Sequence, residues 1–402
     1  MGCIRKNIKL KLLVFFIAAI YVNCDPGYYF ERSVHDGDPL SVPSDVLAPP
    51  AVEYNEAVEK ARLLARDLLS EDNLPGLSAA VAVDNKLVWA EGFGWADLKN
   101  RVPVTPSTQF RIGTTTKSLT AAAAGLLFER GLLDLDAVVQ KYVPDFPKKQ
   151  WDVTTRQLMA HISGIRHYGH EENILSIGKK HYHNVLESLD IFADYPLLFK
   201  PSTEYRYSSY GWILVGAIIQ AAAGEPYFDF MEREIFKSLG MQNTVPDYAN
   251  RVMPNRASFY WPFMATNTRL GIENATEADL SVLLPAAGYI STPVDLVQFG
   301  IAMLGGSLLK PKTVEMLQTV QELTSGETTE SGFGWDVRSV STGENSTSSL
   351  MISCPGTTVG GTTSFMIFPE HRMVIAVVSN VSFAEGVSPF AVKVAGLFSD
   401  TR

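Results

Sequence analysis

The order of hydrophobic patterns predicts an α+β protein: one antiparallel sheet flanked by helices and interrupted by a large helical insertion. Two apolar runs, Leu77 to Val83 and Leu87 to Phe93, meet at Asp84-Asn85 and read as a β-hairpin. From Gly113 to about Gly224 the pattern is mostly helical. It returns to strands at Gly334 to Val340, Thr362 to Phe368 and Met373 to Ser379. A sheet whose strands come from both ends of the chain accounts for that order.

The elements follow in turn. Arg5, Lys6, Lys9 and Lys11 precede an apolar run of eleven residues, Leu12 to Val22. That is too short to span a bilayer comfortably. With the polar turn at Asn23 to Pro26 it reads as a signal peptide over residues 1–24; an uncleaved signal anchor and a mitochondrial presequence are the alternatives. Cleavage there removes four cations and no anions, taking the formal net charge from −9 to −13. Sequons at Asn274, Asn345 and Asn380 fit a secretory route. Residues 25–55 lack a period and read as an extended arm. The main domain is 56–402, with a sheet lobe at about 56–112 and 330–402 and a helical lobe at about 113–329. It opens on a helix with Val58, Ala61, Leu64, Ala65 and Leu68 on one face. Further helices are expected between Pro293 and Leu304 and from Pro389 to Phe398.

The chain has 402 residues, 46% hydrophobic and 19% charged, which excludes a disordered or fibrous protein. No basic run follows residue 12, so no nucleic-acid partner is expected. Cys3, Cys24 and Cys354 form neither a disulfide framework nor a zinc pattern. The histidine clusters at 167–170 and 181–183 lack ligand spacing, so no metal or cofactor is expected.

Four separated segments carry the chemistry. They are Phe110-Arg-Ile-Gly-Thr114-Thr-Thr-Lys117, Pro201-Ser-Thr-Glu-Tyr-Arg-Tyr207-Ser-Ser209, Ala286-Ala-Gly288 to Asp295, and Cys354-Pro-Gly356-Thr357-Thr-Val-Gly360. A residue three positions before a lysine at a helix start lies on the same face as it. The helix dipole there favours negative charge. In order and spacing these segments resemble the serine β-lactamase and penicillin-binding-protein superfamily, in its class C-like, LACTB-like branch. Lys117-Ser-Leu-Thr, Gly131 to Asp136, Tyr142 to Pro147, His161 to Tyr168 and Asn255 to Tyr260 carry the LACTB likeness. It covers roughly residues 55 to 400.

The resemblance implies a β-lactamase/transpeptidase-like fold and an acyl-enzyme route. It implies Thr114 as nucleophile and Lys117 as base, with Tyr207 sharing the proton work. It places Ser209 at the Asn position of the Y-x-N motif, Gly356 and Thr357 at the oxyanion strand, and the backbone N–H groups of Thr114 and Thr357 as the oxyanion donors. It also implies a peptide or small acyl substrate, a homo-oligomer or filament, and a mitochondrial location as the alternative to a secreted or lumenal one. Three positions depart from the pattern. Thr114 stands for serine, and Ser209 for asparagine. The fourth segment has no Lys or His: counting back from the strand that ends at Pro369 puts Cys354 at that position, and a one-residue slip puts Pro355 there. A threonine β-methyl stiffens χ1 and crowds a pocket built for a primary alcohol. Internal threonine also lacks the N-terminal amine that activates threonine nucleophiles elsewhere. Two functions are therefore expected: a hydrolase with weak or lost activity, or a non-catalytic binding or self-assembling homologue in which Thr114 only caps its helix. On the same reading, His161 is structural, in a tight turn before Ser163-Gly164.

Overall fold

The computed structural model describes residues 29–35, 37–169, 172–249, 251–343 and 347–401. The expected signal segment and the sequon asparagine Asn345 lie outside them. The chain enters the sheet as β1 (Ser44–Val46), crosses one face as α1 (Asn55–Glu71), and forms the hairpin β2 (Gly76–Val83) and β3 (Lys86–Asp97). Asp84 and Asn85 take φ of 49° and 65°. Two consecutive left-handed residues form the hairpin turn that matches strand twist, and Asp and Asn tolerate it. The insertion contains α2 (Thr116–Glu129), α3 (Ser209–Ala223) and α4 (Pro293–Gly305). The chain then returns as β4 (Asp336–Thr342), β5 (Thr347–Ser353), β6 (Gly356–Thr358), β7 (Gly361–Phe368) and β8 (Met373–Ser379), and closes with α5 (Val387–Ser399).

The sheet runs β4-β5-β7-β8-β2-β3-β1, with β6 on β7 and Val102–Pro103 on β3. Every pairing is antiparallel. The two ends of the chain join at its centre, where Met373 faces Val83 and Ser379 faces Leu77. Alternate residues of β2 and β8 serve two cores. Ala79, Val81, Val83, Ile375 and Val377 pack with Val58, Ala61 and Ala65 of α1 and Phe390 and Val394 of α5. Ala80, Ala82, Val374, Ala376 and Val378 face the core shared with α2, α3 and α4. Both strands are buried along their whole length, so they read as unbroken apolar runs.

Two expectations need correction. Between α2 and α3 the insertion is mostly irregular, with short helices at Thr155–Met159 and Ile174–Ile177. Pro144, Pro147 and Pro201 break helical hydrogen bonding there. Val139, Val143, Phe146, Phe192 and Leu197 are buried from loops and short turns, which gives apolar spacing without a long helix. Strand β5 was not expected, because Ser and Thr fill its first half.

The two described sequon asparagines differ. Asn274 is exposed. Asn380 is fully buried, and its amide donates to the carbonyls of Trp95 and Ser258 at 3.1 and 3.0 Å, which leaves no room for a glycan.

Candidate active site

The cleft lies where α2 begins, between the insertion and the edge of the sheet. Ala-rich α2 (Ala121 to Ala124) is a strong helix former, and it is buried almost throughout. Its entry is a tight turn, Gly113–Thr115. Gly113 has φ +53°, and a Cβ there would meet the Thr357 backbone at 2.8 Å. Gly356 is as constrained: a Cβ would overlap the Ile112 carbonyl oxygen and lie 2.6 Å from Thr115 Oγ1. Two glycines thus let the helix start and strand β6 touch backbone to backbone. Thr115 Oγ1 ties them by donating to the Cys354 carbonyl at 2.7 Å.

Thr114 and Lys117 fall on one face and line a cleft of about 360 Å³ with His161, Tyr205, Tyr207, Asp336 and Cys354, among others. Thr114 is half-buried, and its hydroxyl donates to the Pro355 carbonyl at 3.0 Å. It does not cap the helix: the cap position is Thr115, whose side chain makes no capping bond. Lys117 is 3% exposed. Burial pushes its amine down to about 7, against a weaker opposing pull from Cys354. Its Nζ lies 2.6 Å from Tyr207 Oη and 3.4 Å from the Ala286 carbonyl, so the third segment reaches the site through its backbone. Gly288 has another role: a Cβ there would strike the backbone of Leu284 and Leu280, in the helical turns just before it, at 2.5 and 2.7 Å.

Tyr207 as a residue is 38% exposed, yet its hydroxyl accepts from Lys117 in a part-buried contact, and burial pushes it up to about 12. The hydroxyls of Ser209 and Thr114 pull the other way. Ser209 opens α3, which Ser208 caps by accepting the Gly211 amide at 3.0 Å. Cys354 is buried with its thiol toward the Thr114 and Thr115 carbonyls, at 3.6 and 3.8 Å. Burial pushes that thiol up to about 12, so it stays protonated. Pro355 is exposed and offers only its carbonyl to Thr114. Thr357 is exposed on β6, directly after Gly356.

Sequence reasoning missed the two histidines that hold Tyr207. His161 sits in the expected tight turn, at φ +61°, but its ring lines the cleft and stacks on Tyr207 at 4.6 Å. Its Nδ1 accepts the Ser208 amide at 3.0 Å. His167 meets Tyr207 edge-on at 5.3 Å, and its Nδ1 accepts the Ser209 amide at 3.1 Å. Burial, then Lys117, lowers both imidazoles, His167 to about 4. Both rings are therefore neutral at pH 7. The available signal was their position in the same His161 to Tyr168 segment. Asp336 was missed too; nothing in the sequence marks it beyond its place at the start of a strand.

A hydroxyl and a lysine one turn apart at a helix start, a tyrosine on a second helix entry and a glycine-paired edge strand define the serine β-lactamase and penicillin-binding-protein class. The beta-lactamase family model matches residues 61–391, and the chain belongs to that family as a LACTB-like member. It is 30% identical to human "Serine beta-lactamase-like protein LACTB, mitochondrial", over 88% of this chain and 82% of that protein. To the mouse protein of the same name it is 33% identical, over 68% of this chain and 64% of that protein. The chain thus spans just under two thirds of the mouse relative. Among solved structures, D-amino acid amidase from Ochrobactrum anthropi superposes with a TM-score of 0.74 at 25% identity, covering 87% of this chain and 100% of that one. The octameric penicillin-binding protein homologue from Pyrococcus abyssi gives 0.70 at 23%, covering 85% and 77%, and shares the fold.

Proposed function

We propose that the chain is an acyl-transfer hydrolase of the LACTB-like peptidase or esterase type, weakened by Thr114 and by the neutral fourth segment. The observation that carries this is the depressed amine of Lys117 at 2.6 Å from Tyr207 Oη. A buried lysine that is partly neutral near pH 7 is a base of the right strength for a hydroxyl. Thr114 Oγ1 bonds to the substrate carbonyl carbon, and its proton passes to Lys117 Nζ, with Tyr207 in the relay. The leaving group departs with that proton, and water then releases the acid from Thr114. The backbone N–H groups of Thr114 and Thr357 receive the developing oxyanion. Ser209 supports Tyr207. Cys354, at the fourth-segment position, supplies bulk without a cation.

The second reading is a homologue that binds without turnover. The Thr114 hydrogen bond to the Pro355 carbonyl favours it, because the hydroxyl proton is then given to a backbone acceptor and not to Lys117. Self-association belongs to either reading, as the Pyrococcus abyssi homologue is octameric. The proposed organisation is an arm at 25–55, whose Ser44–Val46 strand joins the sheet edge, followed by the two-lobed domain at 56–402. Of the two locations residues 1–24 leave, the names of the mammalian relatives support the mitochondrial one. Among the described residues no helix is long and apolar enough to cross a membrane.

A fluorophosphonate probe tests the proposal by intact mass and peptide mapping. A label on Thr114 that disappears in Lys117→Ala supports the enzyme. A folded protein with no label at Thr114 moves the function to the second reading.

A further inference from the structure

Above about pH 7 the cleft holds one fixed charge, and it is negative. Among the described residues that line it, only Lys117 and Asp336 are of charged type, and the Lys117 amine loses its proton near 7. The two imidazoles and the Cys354 thiol are neutral there. Asp336 opens β4 directly opposite Ser353, the residue before Cys354, so it stands beside the fourth segment on the neighbouring strand. One carboxylate oxygen accepts from Ser331 Oγ at 3.1 Å. The other is 3.5 Å from Arg338, whose side chain is 51% exposed; solvent screens such a pair.

Burial raises the Asp336 carboxyl, so its charge is partly desolvated and incompletely compensated. Its field reaches the site: after burial, which is the larger cause, it adds to the upward shift of both Cys354 and Tyr207. Past Asp336 and Tyr205 lies a second hollow of about 410 Å³ that adds Glu327, Glu330 and the half-exposed Arg338, so acidic side chains outnumber the basic one along it. Where related sites carry a cation on the edge strand, this chain has Cys354 and Pro355. Within the first cleft a carboxylate-bearing ligand therefore meets Asp336 and no fixed cation, Arg338 lying in the second hollow. A cationic one gains an attraction that a low-dielectric wall strengthens.

We propose that Asp336 is a specificity-determining residue that selects acyl substrates bearing a positively charged ammonium group. The proposal rests on the acyl-enzyme cleft described above, and its test separates the two. Three 4-nitrophenyl esters with the same backbone serve as probes: 5-(trimethylammonio)pentanoate, the neutral isostere 6,6-dimethylheptanoate, and adipate. Acylation of Thr114 is followed by intact mass. Binding of the three matching primary amides is measured by calorimetry, which needs no turnover. The expected order is cationic over neutral over anionic, with about 10-fold or more between cationic and neutral, in the range of one incompletely screened charge pair. Asp336→Asn should reduce the cationic-to-neutral ratio to about 1, and Asp336→Glu should keep most of it. Because each ratio is taken within one variant, a general loss of activity cancels. Amide binding with the expected order but no acylation sustains the selectivity and overturns the acyl-enzyme reading. Equal or reversed preference, an unchanged ratio in Asp336→Asn, or no binding of any amide overturns the selectivity.

Discussion

Replacing Thr114 by serine is expected to raise acylation. The Thr114 hydroxyl is engaged with the Pro355 carbonyl at 3.0 Å, while the base that should receive its proton is Lys117. Such a hydrogen bond is worth about 1 kcal/mol net, and the β-branched side chain resists turning from it. Serine loses the methyl group and gains rotamer freedom, so its hydroxyl can reach toward Lys117 without opening a large cavity. Recovering roughly that hydrogen bond and the χ1 restriction gives about 1.4 kcal/mol of barrier, or about 10-fold in rate. The assay is the second-order rate of labelling by a fluorophosphonate or activated ester, with peptide mapping to residue 114. Its pH dependence has a definite sign. Burial has lowered the Lys117 amine, so the base form grows as pH rises and the rate should climb through about 7. Tyr207, held near 12, stays protonated throughout. Lys117→Ala should remove both the gain and the pH step. A folded Thr114→Ser with no label at residue 114, or a gain that survives Lys117→Ala, refutes the reasoning.

Three further outcomes are expected. Gly356→Ala must push β6 off the Ile112 carbonyl and Thr115 Oγ1, and should cost about 3 kcal/mol in denaturant unfolding; unchanged stability would place that strand elsewhere. Thr114→Ala removes one hydrogen bond at a half-buried position and should cost only about 1 kcal/mol by the same measurement, so a loss several times larger would make residue 114 a core position. When the chain is expressed through a secretory host, glycopeptide mapping should find Asn274 occupied and Asn380 bare; a glycan on Asn380 in folded protein would contradict its burial.

What the sequence made legible depends on how local the determinants are. Asp84-Asn85 announced its hairpin because two residues that tolerate left-handed φ sit between β-rich runs. The start of α2 was legible from Thr114 and Lys117, since helical spacing alone places both on one face. Strand β5 was hidden because its pairing with β4 and β7, and not its Ser-rich composition, makes it a strand. The irregular stretch between α2 and α3 misled because its apolar residues enter the core from loops and short turns. Within the site, His161 and His167 became visible only when the chain brought them around Tyr207, more than thirty residues along the sequence. Asp336 is more remote still, reaching the cleft through strand register with Ser353.

The contact between the start of α2 and β6 runs through backbone and glycine: Gly113 against Thr357, Gly356 against Ile112, and the Thr115 hydroxyl on the Cys354 carbonyl. The side chains of residues 114 and 354 add weaker contacts across the same seam, to the Pro355 carbonyl and to the Thr114 and Thr115 carbonyls, but the three links above do not depend on them. Architecture and reactivity are therefore separable at this place. A change of side chain at 114 or 354 leaves those three links in place, so the fold at this seam is carried mainly by neighbouring residues. A protein built this way is a natural starting point for installing new acyl-transfer chemistry, because the changes that alter reactivity are not the ones that threaten folding.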